Sequence, residues 1–163
     1  MTIHLRAREV WNDCAVAVRQ LEAADDPASF RVALVASCAL LRAIGHVLQK
    51  VDKAEDPEVG SRVDAWWEEM KLRRDLHAIF WGFIEEERNI LLKTYDHRYL
   101  DDGVRLVSDR YGIPVEFTLD RELYMPLTNG AFAGLDVRDL ASDALNWWDL
   151  QLRRIERIDA QDA

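Results

Sequence analysis

Arg88 and Asn89 stand side by side in the stretch ERNILLKTYDH, with Lys93, Tyr95 and His97 five, seven and nine residues after the arginine. These residue types bind anions and move protons. A guanidinium grips a phosphate or carboxylate through paired N–H donors. An amine or imidazole accepts a proton in a reaction once its pKa lies near the working pH. Lys93 lies four residues from Asn89, within side-chain reach on a helix. His97 lies nine residues from Arg88, which at ~100° per residue puts it on the opposite side of a continuous helix. It can join Arg88 only if the helix unwinds near Thr94. For Lys93 to act as a general base its pKa must fall from about 10.4 to about 7, roughly 4.6 kcal/mol, and only a nearly dry site does that. The plain structural alternative is an Arg88 paired with Glu85 or Glu86 and an Asn89 that ties two helices together.

Arg42 poses a second question, because it interrupts the apolar run VASCALLRAIG. A charge in such a stripe needs a partner, and Glu86 or Glu87 is the expected carboxylate in a structural ion pair. Arg31 lies eleven residues earlier, within ~20° of Arg42 around the same helix. His46 and His77 have no companion at ligand spacing, and HExxH, ExxH, P-loop, GxGxxG and GxSxG patterns do not occur. Neither a metal nor a cofactor is expected.

Helical periodicity supplies the elements that must position these groups. The first helix is expected over about Leu5–Ala24, with Ala7, Val10, Trp11, Cys14, Val18 and Leu21 on one face. Asp26-Pro27 caps and starts a second, to about Lys53, whose interior Gly45 marks a close helix crossing. A polar linker at 54–60 and a short helix over Ser61–Met70 precede a third long helix, about Asp75–Tyr95. The Gly- and Pro-rich stretch 101–134 reads as a loop with a small hairpin around Val115–Leu119, lying outside the helices. Asp136 or Asp139 caps the last helix, to about Ile158. In Trp66-Trp67 and Trp147-Trp148, neighbours ~100° apart cannot share one core stripe, so one of each pair is free for a dimer interface.

The 163 residues suit one domain spanning 1–163. With 21 basic and 30 acidic residues the net charge is −9, which argues against broad nucleic-acid binding, since non-specific affinity rests on neutralised phosphates. Cys14 and Cys38 read as reduced core thiols. The charged opening MTIHLRAREV and the shortness of uninterrupted apolar runs give the expectation of a cytoplasmic protein with no membrane association.

Two helices together carry a family likeness. The second contains Phe30-Arg31, Ala36, Arg42 and Val47-Leu48-Gln49; the third contributes Met70, Asp75, Phe80 and Glu87-Arg88-Asn89. Over residues 28–97 this resembles a bacterial branch of the HEPN superfamily, the higher eukaryotes and prokaryotes nucleotide-binding domains. The resemblance implies an all-α fold: an up-and-down four-helix bundle, here with a short extra helix and a small loop or hairpin excursion before the last helix. It also implies a homodimer, and a metal-independent endoribonuclease site in which an Arg and a polar residue are followed by a His five to seven positions after the Arg. Arg88 and Asn89 match the first two positions. Lys93, Thr94 and Tyr95 occupy the places of the His. The expectation is therefore an interaction or regulatory module with a decayed nuclease motif, in a toxin–antitoxin or phage-defence setting, with a cognate antitoxin or other protein partner and at most weak RNA contact. Arg88, Asn89 and Lys93 would bind an anion. In the alternative, an active endoribonuclease, Arg88 and Asn89 would act with Lys93 or His97.

Overall fold

The computed structural model describes residues 3–108 and 115–157. The protein is mostly helical, with one two-stranded sheet. Helix α1 spans Arg6–Ala23. The next helix, α2, spans Pro27–Glu55 and contains a wide π turn at Leu48–Asp52. Asp26 caps it, accepting the N–H groups of Ala28 and Ser29. The two helices run antiparallel: the Asp52 carboxylate accepts the N–H groups of Arg6 (2.7 Å) and Ala7 (3.0 Å). No side chain of α1 caps its own first turn, so Asp52 satisfies donors that would otherwise be orphaned.

The expected polar linker at 54–60 is almost all helix. Asp56 accepts the N–H groups of Glu58 and Val59, and Pro57 opens α3, Pro57–Leu72. This repeats the Asp-Pro start of α2, hidden by the polar composition around it. The turn is tight enough that a Cβ at Gly60 would lie 2.8 Å from the Lys53 carbonyl oxygen.

Turns over 73–77 lead into α4, residues 78–94, which opens with a π turn at Phe80–Glu85. It ends where Tyr95 adopts a left-handed conformation (φ 54°) and donates its N–H to the Leu91 carbonyl. The hairpin pairs β1, Val104–Ser108, antiparallel with β2, Val115–Leu119, with Val104 opposite Leu119. The expected excursion is only half external. Tyr99, Met125 and Leu127 are buried, and bridges join Tyr99 to Leu127 and Pro126 to Asp136. Asp136 then caps the last helix, α5, Val137–Glu156.

Helix α2 lies at the centre, packed on α1, α4 and α5. By length and hydropathy it could cross a membrane, with a mean of 1.6 over its most apolar 18-residue window, of which 44% is buried here. Arg31 and Arg42 punctuate that stretch, so separate apolar runs understate it. Its buried stripe, Phe30, Leu34, Cys38, Leu41, Ile44 and Leu48, forms the core with Cys14 and Leu21 of α1, Phe80, Phe83 and Leu91 of α4, and Trp148 of α5. Burial pushes the Cys14 thiol up to about 12, and Cys38 is raised too; both are free. A Cβ at Gly45 would sit 3.1 Å from the Trp148 ring, so the glycine lets α5 press against α2. The Trp148 indole N–H reaches the Leu41 carbonyl at 2.8 Å.

Of the tryptophan pairs, Trp66 and Trp148 are buried. Their neighbours are partly buried. Trp67 packs edge-on against Phe80 and beside Trp81, and Trp147 packs against Phe80 and His77.

Candidate functional site

Helix α4 runs antiparallel to α2, which sets what each motif residue meets. Tyr99, just past α4, packs edge-to-face on Phe30 at 5.2 Å between ring centroids. At the other end the Arg42 guanidinium lies over the Phe80 ring at 5.7 Å. Phe83, Ile84, Glu87 and Leu91 face inward. Arg88 and Asn89 are half-buried beside them, and Arg88 Nη1 donates to Asn89 Oδ1 at 2.9 Å. That contact holds the guanidinium near its own helix and leaves most of its five donors available.

The two groups offered as bases are not drawn to Arg88. Lys93 is exposed and takes part in no hydrogen bond or ion pair among the described residues. Five residues from Arg88, it sits ~140° around the helix. The chain does unwind after Thr94, yet His97 turns the other way. Its ring meets Tyr95 edge-on at 4.6 Å and lies 5.8 Å from Tyr99. Burial, and then Arg31, hold its pKa below the ordinary histidine value. Arg31 and Arg42 are about 16 Å apart along the axis of α2. His97 thus belongs to the Arg31 end, while Arg88 lies between the two ends of the α2–α4 contact.

The expected ion pair of Arg42 with Glu86 or Glu87 does not form. Both carboxylates turn to Arg98 instead. Arg98 Nη1 meets Glu86 Oε1 at 3.0 Å, and its Nη2 binds Glu87 Oε1. Glu87 is only 3% exposed. Burial pushes its carboxyl up from the ordinary range, against the pull of Arg98. Arg98 also donates to Asn129 Oδ1 at 2.7 Å, which ties α4 to the segment before α5. The sequence alone could not single out Arg98, because eleven residues and a left-handed turn at Tyr95 separate it from Glu87. Arg88 pairs with neither Glu85 nor Glu86.

With Glu86 and Glu87 withdrawn, Arg42 keeps Phe80 beneath it and feels Glu85 without pairing to it. Burial lowers its pKa; Glu85 opposes that lowering and Arg88 adds to it. His46, one turn along α2, is lowered by burial and then by Arg42, Arg88 and Lys50. Arg42 and His46 lie one turn apart on α2, with Lys50 in the π turn beyond them, and the charge of Arg88 on α4 is felt at both Arg42 and His46. The combination has positive charge and hydrogen-bond donors, with no carboxylate ion pair on any of the four among the described residues. It is suited to holding an anion. His46 read from sequence as an isolated histidine, because the charge of Arg88 reaches it from another helix.

No family model, curated protein or solved structure matches the chain.

Proposed function

We propose that this chain is a HEPN-like interaction or regulatory module: a cytoplasmic homodimer with a four-helix bundle core whose ribonuclease motif has decayed, acting with a protein partner in a toxin–antitoxin or phage-defence setting. The observation that carries it is the separation of the motif residues. Arg88 and Asn89 keep an anion-binding pair on α4, while Lys93 points to solvent and His97 is held at the far end of α2. Positive charge remains where the proton-transfer group of the family is missing. General acid–base catalysis is typically worth 10²–10⁴-fold, so its loss leaves a binding site rather than an enzyme.

The outward face of α2 supports the homodimer. Val32 is 66% exposed, and Ala28, Val35, Ala36, Ala39 and Ala43 continue the same small, apolar surface. A second copy of that surface is its natural complement in an isologous contact. Sedimentation should give a dimer at tens of micromolar and a folded monomer for Val32→Glu. A wild-type monomer at that concentration removes the dimer from the reading.

The activity test compares cleavage of single-stranded RNA by wild type, Arg88→Ala and Lys93→His. No cleavage by the wild type is expected. Arg88-dependent cleavage would replace the binding module with an active endoribonuclease.

A further inference from the structure

We propose that His77 is a pH-sensitive latch: its uncharged ring fastens the turn between α3 and α4, with the start of α4, against α5, and its protonation releases them.

His77 closes a turn whose other members face water. Residues 71–76 are all exposed, whereas His77 is 5% exposed. Its backbone joins the turn to the helix. The His77 N–H donates to the Arg74 carbonyl at 3.2 Å, and its own carbonyl accepts the N–H groups of Phe80 (3.0 Å) and Trp81 (3.4 Å). The ring meets Trp147 of α5 edge-on, with 5.8 Å between centroids. Trp147 lies 5.6 Å from Phe80, and Phe80 lies under the Arg42 guanidinium. Contacts therefore run unbroken from His77 through α5 and α4 to Arg42 on α2.

Shape holds this ring, and hydrogen bonds do not. Neither Nδ1 nor Nε2 has a hydrogen-bond partner among the described residues, and both are closed off from solvent. A neutral imidazole carries one donor and one acceptor, and a charged one carries two donors. Two idle polar atoms already disfavour the packed position. An unpaired charge there disfavours it far more.

Burial keeps the His77 pKa below the ordinary histidine value; Glu69 of α3 and Asp75 of the turn pull it up, while Arg154 of α5 and Arg73 of the turn push it down. Glu69 does not rescue the charged ring, because Arg154 engages its carboxylate at 2.7 Å. A protonated His77 is satisfied by leaving its slot for water. The segment 73–77, a run of turns between two helices, is the part of the chain that can carry it out.

Once released, the ring takes the ordinary pKa of about 6.5. The open form then binds more protons than the closed form. Opening therefore grows as the pH falls below about 6.5, by up to about tenfold per pH unit. It levels off once His77 is protonated in the closed form too.

The test is hydrogen exchange on the full chain at pH 7.5 and 5.5, read for each backbone amide by NMR and corrected for the intrinsic rate at each pH. Protection of the His77, Phe80 and Trp81 amides should fall about five- to tenfold at the lower pH, while the Leu41 and Ile44 amides of α2 keep theirs. His77→Phe fills the same slot with a ring that does not titrate, and its Phe80 and Trp81 amides should be equally protected at both pH values. Far-UV circular dichroism reports whether that variant folds; His77→Leu takes its place if it does not. Titration of the wild-type ring needs no variant and should give a His77 pKa below 6.5. A value at or above 6.5 removes the driving force. An equal loss of protection in His77→Phe assigns the pH dependence to another group, and a loss shared by the α2 amides assigns it to global unfolding. Any one of these three results overturns the latch.

Discussion

Two arginines that look alike in sequence carry different structural weight. Arg98 holds Glu86 and the buried Glu87. Arg98→Ala leaves Glu87 in the interior without its counter-ion, and removing one partner of a buried pair costs about 3–5 kcal/mol. Arg42 is half-buried, stacked on Phe80 and joined to no carboxylate ion pair. Arg42→Ala should cost only about 1 kcal/mol, the scale of a partly exposed cation–π contact. Urea denaturation of the two variants checks the order. Equal losses would mean that Arg42 has a buried partner after all.

At the scale of elements, helix starts depend on carboxylates from near and far. Asp136 accepts the N–H groups of Arg138 and Met125, each at 2.9 Å, and pairs with the Arg138 guanidinium at 2.6 Å. Burial pushes its carboxyl up, yet Arg138 and the two N–H groups outweigh this and hold its pKa below the ordinary carboxylate value. A folded-state pKa below the unfolded one stabilises the protein fully above about pH 4 and loses that contribution as the pH falls through the folded value. Asp136→Asn should therefore be destabilised by about 1–2 kcal/mol at pH 7, and the gap to wild type should close toward pH 2. Melting curves across that range test the sign; a gap that widens in acid would contradict it. Asp52 caps α1 from across the fold, but there burial outweighs the two N–H groups and raises its carboxyl pKa. Asp52→Ala should cost about 2 kcal/mol, because the N–H groups of Arg6 and Ala7 lose their acceptor.

For the molecule as a whole, the hairpin and the segment after it behave as separate parts. Among the described residues neither strand packs against a helix. Val107 is 60% exposed, and Val107→Thr should change stability by no more than about 0.5 kcal/mol, as expected for a surface change. Met125 is 1% exposed and Leu127 3%. Met125→Ala should cost about 2–5 kcal/mol, the range for a truncated core side chain. Thermal melts of the two variants separate the alternatives. A Val107→Thr variant as destabilised as Met125→Ala would show that the hairpin is integral to the core.

Local chemistry could be read in one dimension. The inward stripes of α1 and α2 follow from apolar residues at steps of three and four, the Asp26 cap from Asp-Pro, and Val115–Leu119 from strand alternation. Gly45 likewise announced the close approach that Trp148 makes. Asp56-Pro57 carried the same start signal as Asp26-Pro27, obscured by polar neighbours. Side-chain partners were another matter. Spacing along a helix says which residues share a face; it does not say which residue of another element arrives there. The turn at Tyr95 brings Arg98 back to Glu86 and Glu87 and sends His97 toward Arg31. The antiparallel run of α4 against α2 brings Phe80 under Arg42 and Tyr99 onto Phe30. The residue types present were determined by the sequence itself, and which of them share a site was decided by one left-handed residue and the direction in which two helices pack.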